Sequence, residues 1–305
     1  MLSIFVNVVL PVFIVAGFGF ALERRFRIPI VPVNQVVLYV LMPCFIFTSL
    51  VPIEFRSEEP LRIGAFAVLL TVAMLAVGVV IARGLRLDRV TTSALLLTAA
   101  FPNLGNYGLS IVLLAYGTEG VRFGTILLAV QMLFGLTLAV FIASSGSSSI
   151  RASFGQVARQ PALYAVIAAL AFGLTGVPVP AFVMAALALP SQAAIPVMLL
   201  VLGMQISGTA AIQEPRLVSV AVVTRLIVGA LVGAALASAL GIGGVARSVM
   251  IVGAAMPTAV FTTLTATQYG ARPRFVSDVV VAGTLVSIVT VTAVLAALSG
   301  QITFP

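Results

Sequence analysis

The sequence predicts an all-α polytopic membrane protein, with ten transmembrane helices in a 5+5 inverted repeat and broken helices at the fourth and ninth positions. Three observations lead there. Of 305 residues, 61% are hydrophobic and 8% charged, with a mean hydropathy of +1.25, a balance that no water-soluble fold can bury. Apolar stretches of roughly 20 residues, the length needed to cross a bilayer, recur between short arginine-bearing segments. A proline motif in the first half returns in the second at a constant offset.

Taken in order, the first span (2–22) has no basic residue ahead of it and Arg24, Arg25 and Arg27 behind. It is long for a signal-peptide core, so it should persist as a transmembrane helix. Further spans are expected at 31–50, 61–83, 90–116, 120–143, 161–176, 182–207, 217–240, 245–270 and 275–298. The 144–160 segment, with its SSGSSS run, reads as a cytoplasmic linker between a first repeat (1–143) and a second (161–305).

The halves align directly. Thr98-Ala99-Ala100-Phe101-Pro102-Asn103 matches Gly253-Ala254-Ala255-Met256-Pro257-Thr258, an offset of 155, and Leu85, Val90 and Ser93 fall on Leu240, Val245 and Ser248. Tyr116-Gly117 then Arg122-Phe123 recurs as Tyr269-Gly270 then Arg274-Phe275, while Pro43 pairs with Pro196 and Pro11 with Pro161. An odd number of spans per half makes the second enter the membrane in the opposite sense, the inverted topology of many secondary transporters.

The net charge of +8 comes from 16 basic residues, all arginine, placed mostly between spans, so topology explains them better than nucleic acid does. With the N-terminus outside, Arg24, Arg25, Arg27, Arg83, Arg86, Arg89, Arg151, Arg159, Arg216, Arg272 and Arg274 are cytoplasmic, against Arg56, Arg62, Arg122 and Arg247 outside. Both termini are therefore expected outside the cytoplasmic membrane. One cysteine, Cys44, and no histidine can build neither a disulfide nor a zinc site.

Proline removes a backbone donor and clashes with the preceding turn, so Pro102 and Pro257 should break the fourth and ninth spans near the bilayer centre. Backbone groups freed there need protein partners or a polar cavity. Asn103 and Asn106 on one side, and Thr258, Thr262 and Thr263 on the other, are expected to supply some of them. The half-helices that follow present free N–H groups and partial positive charge, which suits a carboxylate.

The break FPNLGNYGLS (101–110), with AAMPTAVFTTLTATQYG (254–270), LGMQI (202–206) and TRLIVG (224–229), resembles the auxin efflux carrier family of membrane transport proteins, in its compact bacterial form. The family includes plant auxin exporters and bacterial malonate and malate carriers. The resemblance implies a scaffold and a crossover domain, similar to the bile acid sodium symporter fold, with substrate bound where the fourth and ninth spans cross. It marks Asn103 as the polar anchor. Ser110 departs from the pattern, since bacterial members usually carry proline there.

The expected substrate-binding residues are Asn103, Leu104, Gly105, Asn106, Thr258, Ala259, Val260 and Thr262. Arg225, within the eighth span, either attracts an anion, snorkels to the interface or pairs with Asp278; Asp278 either relays an ion or bonds Arg274. Gln131, Gln205 and Asn7 either line the cavity or bond between helices. No nucleophile–base pair or acid pair lies in mid-span, so no enzyme is expected. The reading is a secondary transporter of a small organic anion, a mono- or dicarboxylate, working by alternating access without cofactor or metal. The coupling ion, H⁺ or Na⁺, stays open. So do a homodimer, a bile-acid-type sodium symporter, and a channel or receptor of similar build.

Overall fold

Long runs of Leu, Val, Ala and Ile leave the backbone no partner but itself in an apolar medium, and each such run forms a helix. The structure is a computed structural model that describes residues 1–53, 58–144, 160–207 and 212–301. Its first half holds α1 (Leu2–Phe26), α2 (Ile30–Leu50), α3 (Glu58–Gly84), α4 (Arg89–Ala100), α5 (104–116) and α6 (118–143). The second holds α7 (Pro161–Thr175), α8 (Ala181–Ser207), α9 (Pro215–Ala239), α10 (Gly244–Ala254), α11 (Phe261–Tyr269) and α12 (Pro273–Ala297).

Seven helical stretches among the described residues are long and apolar enough to cross a membrane: α1, α2, α3, Leu104–Met132, α8, α9 and α12. The difference from the ten expected has local causes. The fourth and ninth spans are cut at their prolines, and α7 has 15 residues. Gly117, at φ +61°, interrupts Leu104–Met132 and separates α5 from α6, in a conformation that a side chain would strain. The linker expected at 144–160 lies almost wholly outside the described residues.

Helix ends follow local chemistry. Pro161, Pro215 and Pro273 occupy first turns, where a missing N–H costs nothing, and left-handed Gly176 and Gly270 close α7 and α11. Asp88 caps α4, accepting from the Val90 and Thr91 amides at 2.9 and 3.1 Å and from the Thr91 hydroxyl at 2.5 Å. The Thr91 hydroxyl, then the amides, hold its carboxyl below the usual carboxylate range.

Packing sorts the helices into two groups. α1 lies along α8, and α2 packs on α7 and α8. The α1–α8 approach depends on small residues: a Cβ on Gly203 would lie 1.7 Å from the Ala16 carbonyl oxygen, and one on Gly19 2.0 Å from that of Leu200. In the other group, α3 packs on α4, α6 and α9, while α9 packs on α10 and α12. Phe182, Leu189, Leu231 and Val289 point outward, as a lipid-facing surface requires.

Candidate functional site

Pro102 and Pro257 each end a half-helix, and the chain beyond each is extended rather than helical. The two breaks lie antiparallel and pair with each other through a bridge between Pro102 and Thr258. The Asn103 amide donates to the Pro257 carbonyl at 2.7 Å, and the Ala259 amide to that of Phe101 at 2.8 Å. Thr258 Oγ1 donates to the Thr98 carbonyl at 2.8 Å, and Gln131 Nε2, from α6, to that of Pro102 at 3.2 Å. Backbone freed by proline is thus met by the other break, as an apolar surrounding demands.

This corrects one expectation. The side chains of Asn103 and Asn106 do not serve the broken backbone. Asn103 Nδ2 is buried without a partner, and Asn106 lies half-buried at a cavity wall. Thr258 does take the expected task, while Thr262 donates to the Ala259 carbonyl at 2.6 Å.

Behind the breaks lies Arg225, 1% exposed, in a π-turn at Thr224–Val228 of α9. Its Nη1 donates to the Ala99 carbonyl at 2.6 Å and its Nη2 to the Ala254 carbonyl. Those are last-turn oxygens of α4 and α10, which a helix cannot satisfy internally. Arg225 therefore neither snorkels to an interface nor pairs with Asp278, because two helix ends offer it nearer acceptors. Asp278 is buried, 3.2 Å from Arg274 Nε, and accepts from the Gln213 amide at 2.9 Å.

In front of the breaks is a cavity of about 300 Å³. Its floor is Pro102, Asn103, Leu104, Gly105 and Asn106, facing Ala259, Val260 and Phe261; α2, α6, α7, α8 and α11 wall it. The first turns of α5 and α11 meet it; the Leu104 amide there donates to the Pro102 carbonyl at 2.9 Å and the Thr262 and Thr263 amides to the Ala259 and Val260 carbonyls at 3.2 and 3.0 Å, and the positive poles of both helices lie at the cavity. Of the expected residues, Asn103, Leu104, Gly105, Asn106, Ala259, Val260, Gln131 and Gln205 line it. Thr258 and Thr262 are instead turned into the backbone, Arg225 and Asp278 lie elsewhere, and Asn7 is exposed, donating to Ser3 Oγ at 3.2 Å. Asn34, Gln160 and Gln268 also line the cavity and were not anticipated. Each is an amide at the edge of an apolar stretch, and that placement was the available signal.

Against known proteins, the family described as membrane transport protein matches residues 4–158 and again 149–295, together nearly the whole chain. The chain belongs to this family, that of the auxin efflux carriers. No curated relative matches it.

For a membrane transport protein the composition of this cavity matters. Its polar groups are the amides of Asn34, Asn103, Asn106, Gln131, Gln160, Gln205 and Gln268, with the Thr265 hydroxyl, and no described lining residue is ionisable. Asn103 Nδ2 and Gln205 Oε1 are buried and unpartnered, one a donor and the other an acceptor. Such a wall can hold a carboxylate through amide donors and helix N-termini while its apolar remainder, Leu104, Leu128, Met132, Val260 and Leu264, covers the body of the ligand.

Proposed function

We propose that this membrane transporter is a secondary carrier for a small organic anion, a mono- or dicarboxylate, operating by alternating access in the cytoplasmic membrane. The chain crosses ten times, as two inverted five-span repeats with both termini outside. The packing supports the repeat: α1 with α8 and α2 with α7 are mutual images under exchange of halves, as are α3 with α4 and α9 with α10. The α1, α2, α7, α8 group is the scaffold, and the paired breaks belong to the part that moves against it.

Asn103 carries the assignment. A buried amide donor without a partner costs roughly 1–3 kcal/mol, and this one sits on a helix break at a cavity floor, where a ligand would satisfy it. Asn34, Gln160, Gln205 and Gln268 come from helix ends and lie 7, 1, 11 and 4 residues in sequence from Arg27, Arg159, Arg216 and Arg272. This supports a cavity open toward the arginine-rich face, which the proposed topology makes cytoplasmic and the arrangement inward-facing.

Counterflow in proteoliposomes tests this. Labelled succinate, malonate and indole-3-acetate are offered to vesicles preloaded with the same unlabelled compound. Accelerated exchange of at least one, lost in Asn103→Ala protein that melts like the parent, is the expected result. Equal uptake by both proteins overturns the site. Uptake without counterflow points to a channel, and binding without uptake to a receptor.

A further inference from the structure

We infer that Arg225 sets the charge of the carboxylate site from behind, without touching the ligand: it ties the ends of α4 and α10 together and cancels their negative poles. The inference rests on the functional reading above and adds to it the source of the site's anion preference.

Four helix ends converge at the paired breaks. α4 and α10 end there, and α5 and α11 begin there. Each C-terminus carries about half a negative charge and each N-terminus about half a positive one, so the four poles alone sum to about zero. A cavity facing such a cross would have little reason to prefer anions. Arg225 changes the sum. Its guanidinium spans the two C-terminal carbonyls, of Ala99 and of Ala254, and adds one full positive charge where about one negative charge had gathered. The N-terminal poles of α5 and α11 then face the cavity uncancelled, in surroundings of low dielectric where they act strongly.

The local sequence is shaped around this contact. Gly229, one turn beyond Arg225, leaves the guanidinium its space: a Cβ there would lie 2.6 Å from Arg225 Nη2 and 2.8 Å from the Ala254 oxygen. A Cβ at Gly233 would lie 2.3 Å from that of Ala254, so the end of α10 reaches α9 only because residue 233 has none. Both hydrogen bonds of Arg225 are to carbonyls, and it is absent from the cavity lining. Arg225 is therefore a positioning residue. Ala99 lies four residues before Asn103, and Ala254 five before Ala259, so the guanidinium also fixes where both breaks begin.

The test compares the parent protein with Arg225→Gln, Arg225→Lys and Gly229→Ala in lipid nanodiscs, titrating succinate, malonate and indole-3-acetate. Loss of the charge should weaken the bound carboxylate by about tenfold or more, and lysine should restore most of the loss. The neutral indole-3-acetamide, where it binds, should respond far less. A purely structural clamp would affect acid and amide alike. Gly229→Ala, which keeps the charge but crowds it off Ala254, should also weaken carboxylate binding, and it decides the matter if the Gln protein does not fold. Hydrogen exchange at 101–104 and 257–260 should quicken in the Gln and Ala variants. Unchanged carboxylate affinity in folded Arg225→Gln or Gly229→Ala protein overturns the inference, as does a lysine variant no better than glutamine. If the parent binds none of the carboxylates, the functional reading falls and takes this one with it. If Asn103→Ala abolishes binding and the Arg225 and Gly229 variants do not, only the inference about Arg225 falls.

Discussion

Asn103, the proposed anchor of the ligand, is a burden to the fold that carries it. Its Nδ2 is buried and unpartnered, so Asn103→Ala should leave the melting temperature unchanged or raise it, while carboxylate binding falls by about tenfold or more. Thermal melts and titrations on the same protein check both halves of that expectation. Asp88 behaves in the opposite way. Its carboxyl is held low by Thr91, so the cap it gives α4 is fully present above the unfolded value of about 3.9 and is lost as the pH falls through its lower folded value. Asp88→Ala should lower stability near neutrality and flatten this acid limb in a pH series of melts. At this scale the sequence was readable where a residue acts on its own backbone: Pro102 and Pro257 mark breaks because a missing N–H is a property of one residue. Arg225 was not readable. Its position inside a span was plain, but whether it met lipid, an acid or two helix ends depended on elements 126 and 29 residues away.

Among the elements, α1 and α8 approach each other closely, and the approach rests on glycine. Gly203→Ala should cost about 1–3 kcal/mol by overpacking, because the new methyl would have to displace the Ala16 carbonyl rather than a flexible side chain. Gly17, two residues before Gly19 on α1, meets nothing within 4 Å, and Gly17→Ala should instead stabilise by about 0.5–1 kcal/mol. Detergent melts of the pair separate packing from helix propensity. Element boundaries were legible from hydropathy: the expected 31–50, 182–207 and 275–298 fall within two residues of α2, α8 and α12. The pairing of the two breaks was not. The offset of 155 showed that they correspond, but an antiparallel bridge between them is a fact of three-dimensional approach that no periodicity records.

At the scale of the whole molecule, the proposed inverted repeat makes a prediction about sides. In a Cys44→Ser background, Gly243→Cys, in the turn between α9 and α10, should react with an impermeant maleimide on intact cells. Leu85→Cys, between α3 and α4, should react only after permeabilisation; the reverse pattern would invert the topology, and equal labelling would break the repeat. The all-helical, multi-span membrane class and the family were legible because they rest on composition and on motifs spread over the chain. The cavity was legible at its floor, from residues beside the prolines, and not at its walls, where Asn34, Gln160 and Gln268 arrive from three separate elements. The bridge between Pro102 and Thr258 also has a consequence for how the protein is made. The first break enters the bilayer with its Phe101 carbonyl and Asn103 amide unmet, and their partners lie about 156 residues later in the chain. At ribosomal rates of about 5–20 residues per second, that interval is roughly 8–30 s. Through it the nascent first half must be sheltered by the insertion machinery or by water, and a ribosome stalled between the halves would leave a membrane segment that cannot close on itself.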